Sequence, residues 1–317
     1  MSNALAFAVI AERNAFAADV IDGLSRPKKR LPCRYFYDAA GSSLFDEITR
    51  LPDYYPTRAE TAILEAHAAE ILDGVDEDTT LVEFGSGSSR KTEILLEQAG
   101  RLAAYAPIDI CGQALEEARA RLARRFPELE VTPIVADFTA PLALPAEIAG
   151  RRVIGFFPGS TIGNFTPAEA RRLLAALRLA LGAGSRLVIG VDLKKDPARL
   201  LAAYNDPHGV TAAFNLNLLA RINRELDGGF DLDGFCHQAI YDAAEGRIEM
   251  RLVSRRPQEA RAAGRAFGFR RGEAIHTESS YKYALAEFRE TARAAGWSPR
   301  RAWRDEAGLF SVHELMA

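Results

Sequence analysis

From about residue 60 the chain alternates short, nearly continuous apolar runs with longer segments in which apolar residues return at helical spacing. The pattern predicts a helix to about 73, the strand TLVEF, a helix to 99, the strand AAYAPID and a helix over 112–126. It continues with the strands EVTPIVAD and RRVIGFFPGS, a helix over 167–181 and the strand SRLVIGVDL. Strands alternating with helices of this length predict a parallel sheet covered on both faces, a doubly wound α/β domain. After about residue 195 the texture changes. Helical segments over 198–226 precede two alternating runs, GFCHQAIYD and RIEMRLVSRR, whose short AAEG connection predicts a β-hairpin. SYKYALAEFRETARAAGW then resumes a helix, and RRAWRDEAGLFSVHEL offers two closing strands. The expected organisation is a sheet domain over 61–195 and 281–317, with a smaller α+β domain assembled from 1–60 and 196–280.

Composition narrows the class. A chain of 317 residues with 48% hydrophobic content can bury a substantial core in one large or two interleaved domains. Net charge is −3, and the arginines at 119–125 and 255–271 alternate with Glu, Ala and apolar residues. They read as solvated faces, so no nucleic-acid partner is expected. Cys33, Cys111 and Cys236 lie far apart, as suits reduced thiols in a cytoplasm better than a disulfide framework or a zinc site. His67, His208, His237, His276 and His313 share no ligand spacing, and no metal is assigned. ALAFAVIA lacks a preceding basic segment and is followed at once by Glu12, Arg13 and Asp19, unlike an export signal. Nothing elsewhere reaches membrane-spanning length, and a cytoplasmic monomer is expected.

The chemistry centres on EFGSGSSRKT, residues 83–92, at a strand-to-helix turn where nucleotide-like ligands dock. A Walker loop needs a glycine immediately before its lysine, and Arg90 occupies that place. The dinucleotide fingerprint needs a third glycine for close packing of helix on strand, and Arg90 stands there too. What survives is a loop whose Gly85 and Gly87 let a ligand approach the backbone. The preceding acid, Glu83, would suit an amino group or a sulfonium, which points to S-adenosylmethionine. Asp109 ends the second strand, where a carboxylate can accept both ribose hydroxyls. Asp137 and Phe138 end the third and suit an adenine edge, and Lys91 could pair with a ligand carboxylate. NAD in an oxidoreductase, and a module that binds the cofactor without consuming it, remain as alternatives at this point.

Two further stretches are unusual, YFYDAAGSSLFDEITRLPDYYPTRAE (35–60) and FFPGSTIGNFTPAEA (156–170). The first is dense in tyrosine yet broken by glycine and proline, so it is not one amphipathic helix. The second follows the fourth strand. Together with LVEFGSGSSRKTEILL, DLKKDPARLLAAYNDPHGVTAAFNLNLLARINREL, FDLDGF and HTESSYKY, they make the chain resemble the histidine Nα-methyltransferase family of ergothioneine biosynthesis, from about residue 30 to the C-terminus. The resemblance implies a Rossmann-like class I methyltransferase sheet with a second substrate domain. It implies S-adenosylmethionine as cofactor, free L-histidine as substrate and trimethylhistidine (hercynine) as product, with another amino acid as the alternative acceptor. Carried over by motif, the cofactor residues are Gly85, Lys91, Asp109, Asp137 and Phe138. Tyr54, Asn164 and Tyr204 correspond to residues holding the substrate carboxylate and amino group, and Tyr37 to the tyrosine facing the amine. Tyr37 and Asn164 are thus the expected catalytic pair. Glu278 and Ser280 match the imidazole-recognising pair, and Met250 an apolar wall of that pocket. Residues two apart on an extended segment point to one side, and a carboxylate plus a hydroxyl can satisfy both nitrogens of a neutral imidazole. Tyr281 and Tyr283 follow and are expected to shape the pocket floor.

Overall fold

The computed structural model describes residues 3–87, 89–100 and 102–317, with the side chains of 3–12 left aside. The elements begin with α1 (Asn3–Ser25), α2 (Ala39–Ile48), α3 (Tyr55–Ile71), β1 (Thr79–Phe84), α4 (Arg90–Gln98), β2 (Ala104–Asp109) and α5 (Gly112–Arg125). There follow β3 (Glu130–Val131), β4 (Ile134–Val135), α6 (Ala146–Ala149), β5 (Arg152–Phe157), α7 (Pro167–Leu181), β6 (Arg186–Asp192), α8 (Pro197–Tyr204) and α9 (Val210–Glu225). The remainder comprises β7 (Phe235–Asp242), β8 (Arg247–Ser254), β9 (Gln258–Ala262), β10 (Arg265–Phe269), β11 (Ala274–Tyr281), α10 (Leu285–Ala294), β12 (Ser298–Arg304) and β13 (Phe310–Met316). The chain divides into two compact units, Met1–Tyr54 with Asp196–Ser280, and Tyr55–Lys195 with Tyr281–Ala317.

The second unit is the doubly wound α/β sheet. Its strands run in the order β12-β13-β6-β5-β1-β2-β3, with β4 also on β2. The pairs among β1, β2, β5 and β6 are parallel, and β13 runs antiparallel to β6. Alternate strand residues feed opposite cores. Val82, Phe84, Val153, Phe157, Leu187 and Ile189 pack with α7 and α10, whereas Leu81, Ile154, Phe156 and Val188 pack with α3, α4 and α5. The strand order reverses between β1 and β5, which places a crevice at their carboxyl ends.

Local chemistry sets the boundaries. Helix α7 starts where predicted because Pro167 follows Thr166, whose side chain and that of Glu169 form a reciprocal capping box. EVTPIVAD, expected as one strand, becomes the two short pieces β3 and β4, since Pro133 has no N–H to give the ladder. SYKY, expected at the head of a helix, instead straddles the end of β11, which closes at Tyr281, and α10 begins only at Leu285, where the Glu287 carboxylate accepts the Ala284 N–H. Residues 55–60, grouped with the smaller domain in the sequence reading, fall in the sheet unit. They open α3, an unbroken helix whose Ala59, Ile63, Leu64 and Ala68 are core residues there.

The first unit carries the three-stranded sheet β11-β8-β7, the hairpin β9-β10, and helices α1, α2, α8 and α9. The predicted hairpin is β7-β8, paired from Phe235↔Ser254 to Asp242↔Arg247. The sequence reading leaves α1 and the β9-β10 hairpin unassigned. The helix is legible in Phe16, Val20 and Leu24, spaced by four and all buried. The hairpin turns on Ala263 and Gly264, both with positive φ, and buries Phe267 and Phe269 between exposed arginines.

Candidate active site

The acid of the glycine loop does not face a ligand. Glu83 is buried at the end of β1, where its carboxylate accepts the Thr92 hydroxyl at 2.6 Å and the Tyr105 hydroxyl. The Ser89 hydroxyl lies 2.9 Å from that of Tyr105. The acid therefore ties β1, β2 and α4 together beneath the loop, which corrects its expected part in attracting a cation. Burial pushes its pKa from 4.5 to about 7 against the pull of the two hydroxyls. The folded protein keeps this proton where the unfolded chain has lost it. Stability fully present below pH 4.5 is thus lost as the pH rises, completely so above about 7. Glu83→Gln, which stays neutral, should flatten this slope and be worth up to about 3 kcal/mol more at pH 8 than at pH 4.5, relative to the parent. Urea midpoints over that range measure it, and parallel profiles would refute the assignment.

Above the acid, the loop is shaped by glycines. Gly85 and Gly87 have φ of +70° and +47°. A side chain at Gly85 would meet the Phe138 ring at 3.3 Å, whereas the space beside Gly87 is open. Ser88 lies outside the described residues. The Gly87 N–H donates to Asp109 Oδ2 and the Cys111 N–H to Oδ1, each at 2.9 Å, so the carboxylate ending β2 is fixed beside the loop. Asp137 is held by the Thr139 N–H at 2.8 Å, and the Phe138 ring packs edge-on against Phe157 with centroids 5.3 Å apart. The structure thus brings Gly85 to Phe138 and Gly87 to Asp109. Lys91 is paired with Glu60 at 2.5 Å, an ion pair the sequence reading did not foresee, and an ammonium with three donors keeps capacity for a second carboxylate. Open space at Gly87, two half-buried carboxylates at strand ends and one cation fit a nucleoside bearing an amino-acid tail.

Beyond β5 the chain turns through Gly159 and Ser160, both with positive φ, into a 3-10 turn, Thr161–Asn164, which closes on half-buried Asn164. Ser160 Oγ accepts the Asp192 N–H at 2.9 Å. The buried Asp192 carboxylate in turn receives half-buried Lys195 at 2.5 Å, buried Lys282 at 2.7 Å and the buried Tyr55 hydroxyl at 2.8 Å. Burial lowers the Lys195 pKa to about 8 despite the Asp192 charge. Sequence reasoning missed this cluster. DLKK and SYKY drew notice only as family motifs, and their lysines lie 87 positions apart, too far for spacing to pair them.

In the first unit, the Tyr204 hydroxyl donates to Ser280 Oγ at 2.8 Å, and both are buried. Aromatic contacts link Tyr204 to Tyr54 (6.4 Å between centroids), Tyr54 to Phe45 (6.3 Å) and Phe45 to Tyr37 (5.7 Å). Met250 on β8 and Glu278 on neighbouring β11 are both buried, and the Thr277 hydroxyl between the strands donates to the Met250 carbonyl at 3.0 Å. Burial, then the Glu278 charge, push the Cys33 thiol up to about 12, which places Cys33 in the electrostatic neighbourhood of that carboxylate as an inert thiol. Tyr281 and Tyr283 are core residues of the sheet unit.

One residue dismissed for lack of ligand spacing serves Tyr204. His237 Nδ1 accepts from the Asn215 amide at 2.8 Å, whose other N–H goes to the Arg251 carbonyl. Nε2 therefore carries the proton and donates to the Tyr204 carbonyl at 2.8 Å. Burial lowers its pKa, and the neutral ring fixes the backbone from which the Tyr204 hydroxyl reaches Ser280.

Among the described residues no cluster of His, Cys, Asp and Glu could hold a metal ion, and no helix is long and apolar enough to cross a membrane. A family model described as a histidine-specific, SAM-dependent methyltransferase matches residues 16–317. The chain is 44% identical over 304 residues to a histidine N-alpha-methyltransferase of Mycobacterium tuberculosis, and 43% identical over 303 residues to that of Mycolicibacterium smegmatis. Each match covers 94% of both chains. It is also 30% identical over 303 residues to ergothioneine biosynthesis protein 1 of Neurospora crassa, covering 91% of this chain and 34% of that one. A family model matching residues 16–317 and relatives 43–44% identical over nearly their whole length lead to one conclusion: the chain belongs to the histidine-specific, S-adenosylmethionine-dependent methyltransferase family.

Proposed function

We propose that the protein transfers methyl groups from S-adenosylmethionine to the α-amino nitrogen of L-histidine, three in succession, to give trimethylhistidine (hercynine) in ergothioneine biosynthesis. The observation that carries this reading is the buried trio of Glu278, Ser280 and Tyr204 within a chain of this family. An imidazole presents one N–H and one bare nitrogen, which a carboxylate and a hydroxyl complement, and Met250 supplies an apolar wall. The Ser280 hydroxyl accepts from Tyr204 at 2.8 Å, which fixes its oxygen beside the buried Glu278 strand segment.

Gly85, Lys91, Asp109, Asp137 and Phe138 would hold the cofactor, with Lys91 on its carboxylate, Asp109 on the ribose hydroxyls and Asp137 on the adenine amine. When bound, the cofactor supplies an electrophilic methyl carbon on a sulfonium. The residues of the chain have two tasks. Tyr54, Asn164 and Tyr204 hold the α-carboxylate and amine of histidine, and Asn164 with Tyr37 aims the nitrogen lone pair. Burial near a cation disfavours the ammonium form, so the amine sheds its proton to water without a dedicated strong base. The linked rings of Tyr37, Phe45, Tyr54 and Tyr204 suit a product that keeps a permanent positive charge. On the same reading the protein acts as a monomer in the cytoplasm on the free amino acid.

Competition among free amino acids, scored by mass spectrometry, tests the substrate. Histidine should take up nearly all transferred methyl groups. Equal labelling of phenylalanine or tryptophan would contradict the reading.

A further inference from the structure

We propose that Glu60 is a positioning residue that joins the cofactor lysine to the loop carrying Asn164. Its carboxylate is completely buried on α3 and has two partners from different segments. Lys91 Nζ, in the first turn of α4, lies 2.5 Å from Oε2. The Gly159 N–H, at the start of the turn to Asn164, points at both oxygens at 3.0 and 2.9 Å. Strand β6 makes room for this arrangement. A Cβ at Gly190 would stand 2.0 Å from Oε1, so any side chain there would evict the carboxylate.

A buried charge pair is a poor source of stability, because desolvation offsets most of the attraction between its members. It is effective at fixing geometry. The Lys91 ammonium is held by an anion it cannot leave without stranding a buried charge, and a three-donor ammonium keeps capacity for a ligand carboxylate as well. The same anion pins the backbone at Gly159, five residues before Asn164. Glu60 thus sets the register between the loop that grips the cofactor tail and the loop that presents the amide to the acceptor. Neither loop need touch the other. This inference rests on the reading of Lys91 as a cofactor residue and needs no assumption about the acceptor.

The test uses two readouts that do not depend on turnover. In Glu60→Gln, the dissociation constant for S-adenosylhomocysteine, measured by calorimetry, should rise about tenfold, since the amide places an N–H against the Lys91 ammonium. In a cycle with Lys91→Met, the double variant should bind no more weakly than Lys91→Met alone, because Glu60 acts through Lys91. In the cofactor-free protein, hydrogen exchange over residues 159–164 should quicken several-fold in both single variants. Binding by Glu60→Gln within twofold of the parent, or losses that multiply in the double variant, would overturn the proposal. Should Glu60→Gln fail to fold, Lys91→Met with Glu60 intact decides it: unchanged exchange over 159–164 removes the link. If histidine proves not to be the acceptor while these binding and exchange effects appear, only the substrate assignment falls.

Discussion

Asn164→Ala should lower turnover of histidine by about a hundredfold or more while the affinity for S-adenosylhomocysteine stays within about twofold of the parent. The split follows from where the residue sits. Asn164 ends a 3-10 turn after β5, whereas the Gly85, Asp109 and Phe138 set is organised by its own contacts, Gly87 on Asp109 and Gly85 on Phe138. On the proposed reading, truncating the amide removes the group that aims the amine and leaves the cofactor residues in place. The turn itself should persist, because Ser160 on Asp192 and Gly159 on Glu60 anchor it through its first residues. Steady-state kinetics with parallel calorimetry measure both quantities. Normal turnover would remove Asn164 from the mechanism, and loss of cofactor affinity would reassign it to the other loop.

The second large effect concerns selectivity. Glu278→Ala should cut kcat/KM for histidine by roughly 5- to 150-fold, the equivalent of the 1–3 kcal/mol lost when a buried polar partner is left unpaired. The preference over phenylalanine should shrink by a similar factor, since phenylalanine has no N–H to lose a partner. The fold should tolerate the change, because Glu278 ends up on a strand whose pairing with β8 is made by backbone and whose neighbour Thr277 holds the Met250 carbonyl. A variant that keeps its histidine preference would show that ring recognition lies elsewhere in the first unit.

The sheet was legible because its signal is local. Alternating strands and helices from 60 to 195 need only period and punctuation, and Thr166, Pro167 and Glu169 mark the start of α7 outright. The loop was legible for the same reason, as glycines with positive φ at a strand-to-helix turn. What the sequence hid was partnership at a distance. Glu60 and Lys91 lie 31 positions apart, and Tyr55 and Asp192 lie 137 apart, so no spacing rule connects them. Glu83 misled in a different way. An acid beside a glycine loop reads as a ligand group until the hydroxyls of Thr92 and Tyr105 are found beneath it. Pro133 divided a strand whose apolar pattern looked continuous, a case in which one missing N–H outweighed periodicity. The tyrosine-rich stretch could be recognised by resemblance to a family, but the chain of ring contacts from Tyr37 to Tyr204 required the fold.

The most direct measurement is the position of the new carbon. Incubating the purified protein with L-histidine and methyl-labelled S-adenosylmethionine, then examining the product by carbon NMR and mass spectrometry, reports both site and number. The account predicts three equivalent labelled methyls on the α-nitrogen with both ring nitrogens unmodified. Label on an imidazole nitrogen, or no label on histidine at all, would contradict it.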